Sequence, residues 1–233
     1  MRKFVLVSLA ALLLSTSAFA ADPAIAVSEF TNDTSAAWWY GGVGRDLAGM
    51  LSNELAATEK FRVIERSKIE AVLDEQDLAE AGRVNKATRA KIGKLTGAKY
   101  LVFATVSAFE MDTKGGGGGL RFGGISVGGK KEEAYMAVDL RVVDTTTGDI
   151  EFTRTVEARA GSGGLALGLY RGGFGGNLNK YEKTPTGKAI RAVIIEIAEY
   201  LSCAMVDKGS CMDDYSAKES SRKEKTKKAI KLD

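Results

Sequence analysis

The chain holds no histidine, two cysteines and two prolines in 233 residues. Without imidazole there is no Ser-His-Asp or Cys-His catalysis and no His-ligated metal. Two thiols alone do not complete a zinc site. The expectation is no enzyme, no metal and no cofactor. Long apolar runs are also scarce. Beyond the first twenty residues nothing reads as a transmembrane helix, which takes about 20 consecutive apolar residues. Charge is nearly balanced, with a formal +3. Its basic excess sits in the C-terminal tail without interleaved aromatics, so no nucleic acid partner is expected.

What is present begins with an export signal over residues 1–20. Arg2 and Lys3 give its positive start, Phe4–Leu14 its apolar centre, and Ala18-Phe19-Ala20 a small-x-small cleavage site. No cysteine stands at that site, so an ordinary signal-peptidase cut near Ala21 is expected. Without Arg2 and Lys3, 31 basic residues face 30 acidic ones. A globular domain over 21–210 has enough chain for a sizeable core. Residues 211–233 read as a basic, disordered tail. Cys203 and Cys211 meet an oxidising compartment after export. They have two fates there: a bridge tying the end of a helix to the tail, or two free thiols.

Patterning predicts a mixed α/β (α+β) body. Ala24–Phe30 is an apolar strand and Thr31–Gly44 a loop. Asp46–Ala57 is a helix with Leu47, Met50, Leu51 and Leu55 on one face. Phe61–Ile64 is a short strand. Ser67 and Glu70 form a capping box for the next helix. Asn85–Thr96 reads as a further helix ending at Gly97. Tyr100–Ala108 is a strand. Tyr135–Asp144 alternates, with Met136, Val138, Leu140 and Val142 inward, and Ile150–Ala158 is its hairpin partner. Thr186–Met205 is a last helix with a stripe of Ile190, Val193, Ile194, Ile197 and Leu201. Gly42-x-Gly44 lacks the third glycine of a dinucleotide loop, and Gly128-Gly129-Lys130-Lys131 lacks P-loop spacing.

The dominant feature is glycine. Eighteen of the 27 glycines fall between Gly115 and Gly176, all but Gly148 in two blocks whose only charges are Arg121 and Arg171. Glycine-rich linkers are one explanation. Linkers, however, usually carry Ser, Pro or charge, while these blocks carry Leu, Phe, Ile and Val. A membrane β-hairpin takes about 20 to 24 residues, which fits 111–135 and 159–180. Leu120, Phe122, Ile125 and Val127 would supply lipid-facing positions of the first. Leu165, Leu167, Leu169 and Phe174 would supply those of the second. Four strands cannot close a barrel, and open edges are not tolerated in lipid. This reading therefore requires a ring of protomers, about nine if the barrel has the ~36 strands of the largest known.

Four segments then resemble the CsgG family of curli secretion channels: AVSEFTNDTS at 26–35, FRVIERSKIEAVLDEQ at 61–76, LTGAKYLVFATV at 95–106 and DLRVVDTTTGDI at 139–150. The glycine blocks match the placement of the family's membrane hairpins. The resemblance implies an anticodon-binding/TolB-like periplasmic domain whose two β-hairpin insertions join an oligomeric transmembrane β-barrel in the outer membrane. It implies ATP-independent passage of an unfolded exported polypeptide. It also implies a constriction on the loop holding Trp38, Trp39 and Tyr40; the alternative is that these aromatics pack on their own domain. The family typically carries an N-terminal lipid-anchored cysteine, absent at Ala20/Ala21. That absence keeps open a soluble periplasmic scaffold of the same fold.

Overall fold

A computed structural model describes residues 22–115, 120–122, 125–127, 130–161 and 183–230. One mixed sheet organises the body. Strand β1 (Ala24–Val27) leads through β2 (Thr31–Asn32) to helix α1 (Val43–Ala57) and strand β3 (Arg62–Val63). Helix α2 (Ile69–Glu80) then precedes β4 (Tyr100–Gly115), the short β5 (Leu120–Phe122) and β6 (Ile125–Val127), β7 (Lys130–Asp144) and β8 (Ile150–Gly161). Helix α3 (Pro185–Leu201), a π-helical turn (Ser202–Asp207) and α4 (Cys211–Ala229) end the chain. The strand order is β3-β1-β4-β7-β8, with β2 also pairing β4. β3, β1 and β4 run parallel, while β4, β7 and β8 form an antiparallel meander.

The amphipathic stripes read from sequence are the core. Leu47, Met50, Leu51 and Leu55 of α1 are buried, as are Ile190, Val193, Ile194, Ile197 and Leu201 of α3. They join one cluster with Ile25, Val102, Val138, Leu140 and Val142 of the sheet. Gly42 caps α1 at φ 91°, a left-handed conformation open to glycine. At Gly44 a Cβ would lie 2.3 Å from the carbonyl oxygen of Phe30. Close approach of α1 to the segment between β1 and β2 therefore accounts for that glycine. A bulge between Val106 and Ala108 shifts the β4–β7 register. It swaps the faces of β4: Val102, Ala104 and Val106 point into the core before it, and Phe109 packs on that core after it.

Three sequence expectations are corrected. The Ser67/Glu70 capping box does not form. Lys68 is the N-cap of α2, and the Ser67 hydroxyl donates instead to Glu65 Oε1 at 2.7 Å. Residues 85–96 are not a continuous helix. Asn85 accepts Ala87 N–H through its side chain at 2.9 Å, a local turn, and Gly93 stands at φ 68°. Ile92 and Leu95 remain about half exposed, at 50% and 45%, so no buried stripe supports a helix there. Finally, the tail expected to be disordered forms α4. Asp213 and Asp214 in its first turn and Lys227 and Lys228 in its last match the helix dipole. Glu219 pairs with Arg222 and Lys223, and Glu224 with Lys228, at helical spacing.

Helix α4 lies beside β8, touching it through side chains. A disulfide joins Cys203 to Cys211, with Cα atoms 6.1 Å apart, and so holds its start. The Arg154 guanidinium of β8 stacks on Tyr200 and Tyr215 at 5.0 and 4.8 Å from the ring centroids. Arg154 Nη1 also donates to the Tyr215 carbonyl at 3.2 Å. Burial pushes the Tyr215 hydroxyl up to about 12, with the Glu196 and Glu199 carboxylates adding to it and Arg154 opposing. Apart from Tyr215 the residues of α4 are exposed or only partly buried.

Candidate functional site

β4 and β7 pair for longer than the body requires. Their register runs from Tyr100↔Asp144 in the core out to Lys114↔Lys131 and Gly115↔Lys130. Between them in the chain, β5 and β6 pair antiparallel as a separate two-stranded sheet, where Leu120 stands opposite Val127 and Phe122 opposite Ile125. Opposite residues and i, i+2 residues share a face of a strand pair. All four apolar positions thus fall on one face of the hairpin, and Arg121 and Ser126 on the other. Leu165, Leu167, Leu169 and Phe174 of the second block lie outside the described residues.

The second block starts where the first ribbon starts. β8 ends at Gly161, paired with Glu133 of β7. The N-terminus of α3 links both roots. Thr184 caps it by accepting Gly187 N–H at 3.1 Å, with Pro185 in the first turn. Thr186 Oγ1 donates to Met111 Sδ at 3.3 Å on the first ribbon. Lys188 Nζ donates to the Gly161 carbonyl at 3.4 Å at the base of the second block. Charge gathers at this root, with Asp112, Lys114, Lys130, Lys131, Glu132 and Glu133 within the last paired positions. Beyond it the first block has Arg121 alone.

The aromatic loop sits against the same root. Trp38 is 3% exposed, inside the core cluster. Its ring meets Trp39 edge-on at 5.6 Å and Phe109 of β4 at 5.5 Å. No acceptor among the described residues reaches its Nε1. In the protomer Trp38 thus packs in the core of its own domain. Trp39 and Tyr40 are half-buried against the core. Sequence reasoning missed Phe109 because the bulge decides which way it faces. Among the described residues no group of three or more His, Cys, Asp or Glu is placed to hold a metal. No described helix is long and apolar enough to cross a membrane.

Mixed parallel and antiparallel strands backed by two core helices, with a ribbon projecting from one end, define an α/β domain built around a protruding hairpin. The sequence pattern of the family described as curli production assembly/transport component CsgG matches residues 8–230. The chain belongs to that family. It is 30% identical over 112 residues to the curli production assembly/transport components CsgG of Salmonella typhimurium and of Escherichia coli K12. Each match covers 46% of this chain and 40% of the relative's length. Among solved structures, the hypothetical protein CT253 from Chlamydia trachomatis aligns with 13% identity and a TM-score of 0.49, over 80% of this chain and 99% of that one. The PelC dodecamer from Paraburkholderia phytofirmans aligns with 14% identity and a TM-score of 0.36, over 76% and 88%.

Proposed function

We propose that the chain is a subunit of an outer-membrane secretion channel of the curli type. The observation behind this is the β4–β7 ribbon. It leaves the body toward a stretch whose one charge is Arg121, and the β5–β6 register, with Leu120 opposite Val127 and Phe122 opposite Ile125, supports an apolar face there. The second low-charge block departs from Gly161 beside it. Each protomer then contributes four strands to a shared barrel of about nine chains. The α/β body forms a periplasmic vestibule, and an unfolded exported polypeptide passes without ATP. Trp39 and Tyr40 form the protomer's contribution to a constriction, with Trp38 and Phe109 buttressing the loop from the core.

Fractionation and electron microscopy test this reading. The mature protein is expected in outer-membrane fractions, extractable by detergent as rings visible in negative stain. Phe122→Asp combined with Val127→Asp is expected to leave the body folded and to abolish rings and membrane recovery. Recovery of all wild-type protein as soluble monomers would remove the channel. Alanine at Trp39 and Tyr40 is expected to raise single-channel conductance; an unchanged conductance takes them out of the constriction.

A further inference from the structure

We propose that the basic C-terminal end of α4 docks on anionic phospholipid headgroups of the membrane the ribbons enter; this rests on the membrane reading above. The geometry is in the register of α4 along β8. Tyr215 sits at Arg154. Lys218 and Arg222 share a groove with Thr155 and Glu157. Further on, Lys225, Thr226 and Ala229 line a groove with Arg159 and Tyr135. Both elements therefore climb toward the ribbon root. From Arg154 to Gly161 the strand rises about 23 Å, and from Tyr215 to Ala229 the helix rises about 21 Å. The last turn of α4 is thus brought level with Gly161, where the second glycine block begins.

Charge changes along the same axis. The first turn of α4 carries Asp213 and Asp214. From Lys218 to Lys228 six basic residues face two acidic ones. The paired ends of the ribbon are balanced, with Asp112, Glu132 and Glu133 against Lys114, Lys130 and Lys131, so the net positive charge at this level comes from α4 together with Lys188 at Gly161. Dipole matching accounts for basic residues in the final turn only, while these extend over three turns. Lys223 and Lys228 side chains are 65% and 75% exposed. The disulfide and the Arg154–Tyr215 stack fix the direction in which they are presented. A surface cluster of four to eight basic residues beside a membrane-entering segment is the arrangement that attracts anionic lipid, and it is weakened by salt.

The test uses the full mature chain and flotation with vesicles of phosphatidylcholine alone or with phosphatidylglycerol added. The variant combines Lys223→Gln, Lys225→Gln, Lys227→Gln and Lys228→Gln, since glutamine keeps helix propensity. Unchanged circular dichroism checks its fold. Wild type is expected to favour the phosphatidylglycerol vesicles at low salt by roughly tenfold or more, and the variant to lose most of that preference. A control with glutamine at Lys86, Lys91, Lys94 and Lys99, on the segment leading into β4, is expected to keep it. Equal preference in wild type and variant, or equal loss in the control, overturns the proposal and leaves the basic end to solvent or a protein partner. Insertion that resists high salt reports on the ribbons instead. Its absence from both proteins sinks the channel reading while the lipid preference remains separately measurable.

Discussion

Helix α3 spans 17 residues and buries eleven of them; α4 spans 19 and buries Tyr215 alone. The first is held by apolar contact along its whole length. The second is held at its N-terminal end, by a covalent bond and a cation–aromatic stack, and is otherwise solvated. The fold therefore has a helix that belongs to its core and a helix that is attached to it. The two should respond differently to the same kinds of damage.

Substitution in α3 should give the largest effect. Ile194→Ala removes a side chain that is 1% exposed and is expected to cost about 2–5 kcal/mol of global stability, read from chemical denaturation. A cost below 1 kcal/mol would mean that α3 is no more central than α4. Next comes the staple. Replacing Cys203 and Cys211 with serine frees a short loop and is expected to cost at most about 2.5 kcal/mol. Limited proteolysis should then cut within α4 while the body stays intact; simultaneous loss of both would merge the two classes of helix. Arg154→Met keeps the packing of the stem but removes the stack on Tyr200 and Tyr215, with an expected loss of about 1–2 kcal/mol in thermal unfolding. The smallest effect is alkaline. Both states hold Tyr215 neutral below pH 10, the hydroxyl's ordinary value, so its contribution is constant there. Between pH 10 and about 12 the unfolded hydroxyl ionises while the folded one does not, and stability falls. Tyr215→Phe should flatten that part of the pH profile, leaving the raised Tyr200 hydroxyl as the remaining slope.

Legibility followed the same division. The stripes of α1, α3 and β7 were readable because every second, third or fourth residue had to be apolar to reach a shared core. The segment at 85–96 had helix-compatible residues but Gly93 and no buried face, and it did not form one. The tail misled in the other direction. Its composition resembled a disordered end, yet paired charges, a disulfide and one buried tyrosine make it a helix. At the candidate site, the apolar positions of the first glycine block and the start of the second were visible in the residue pattern. The packing of Trp38 on Phe109 was not, because it depends on a one-residue bulge some seventy positions away.

The order of residues alone determined the core faces, the two low-charge blocks and the family pattern, since periodicity and composition are local properties of a chain. Only the tertiary structure decided that both blocks leave from one end of the sheet, that Trp38 turns inward, and that α4 starts against Arg154 and ends beside Arg159 of β8. Those outcomes depend on strand register and on contacts between distant residues, such as Thr186 with Met111 and Arg154 with Tyr215, which no local pattern encodes.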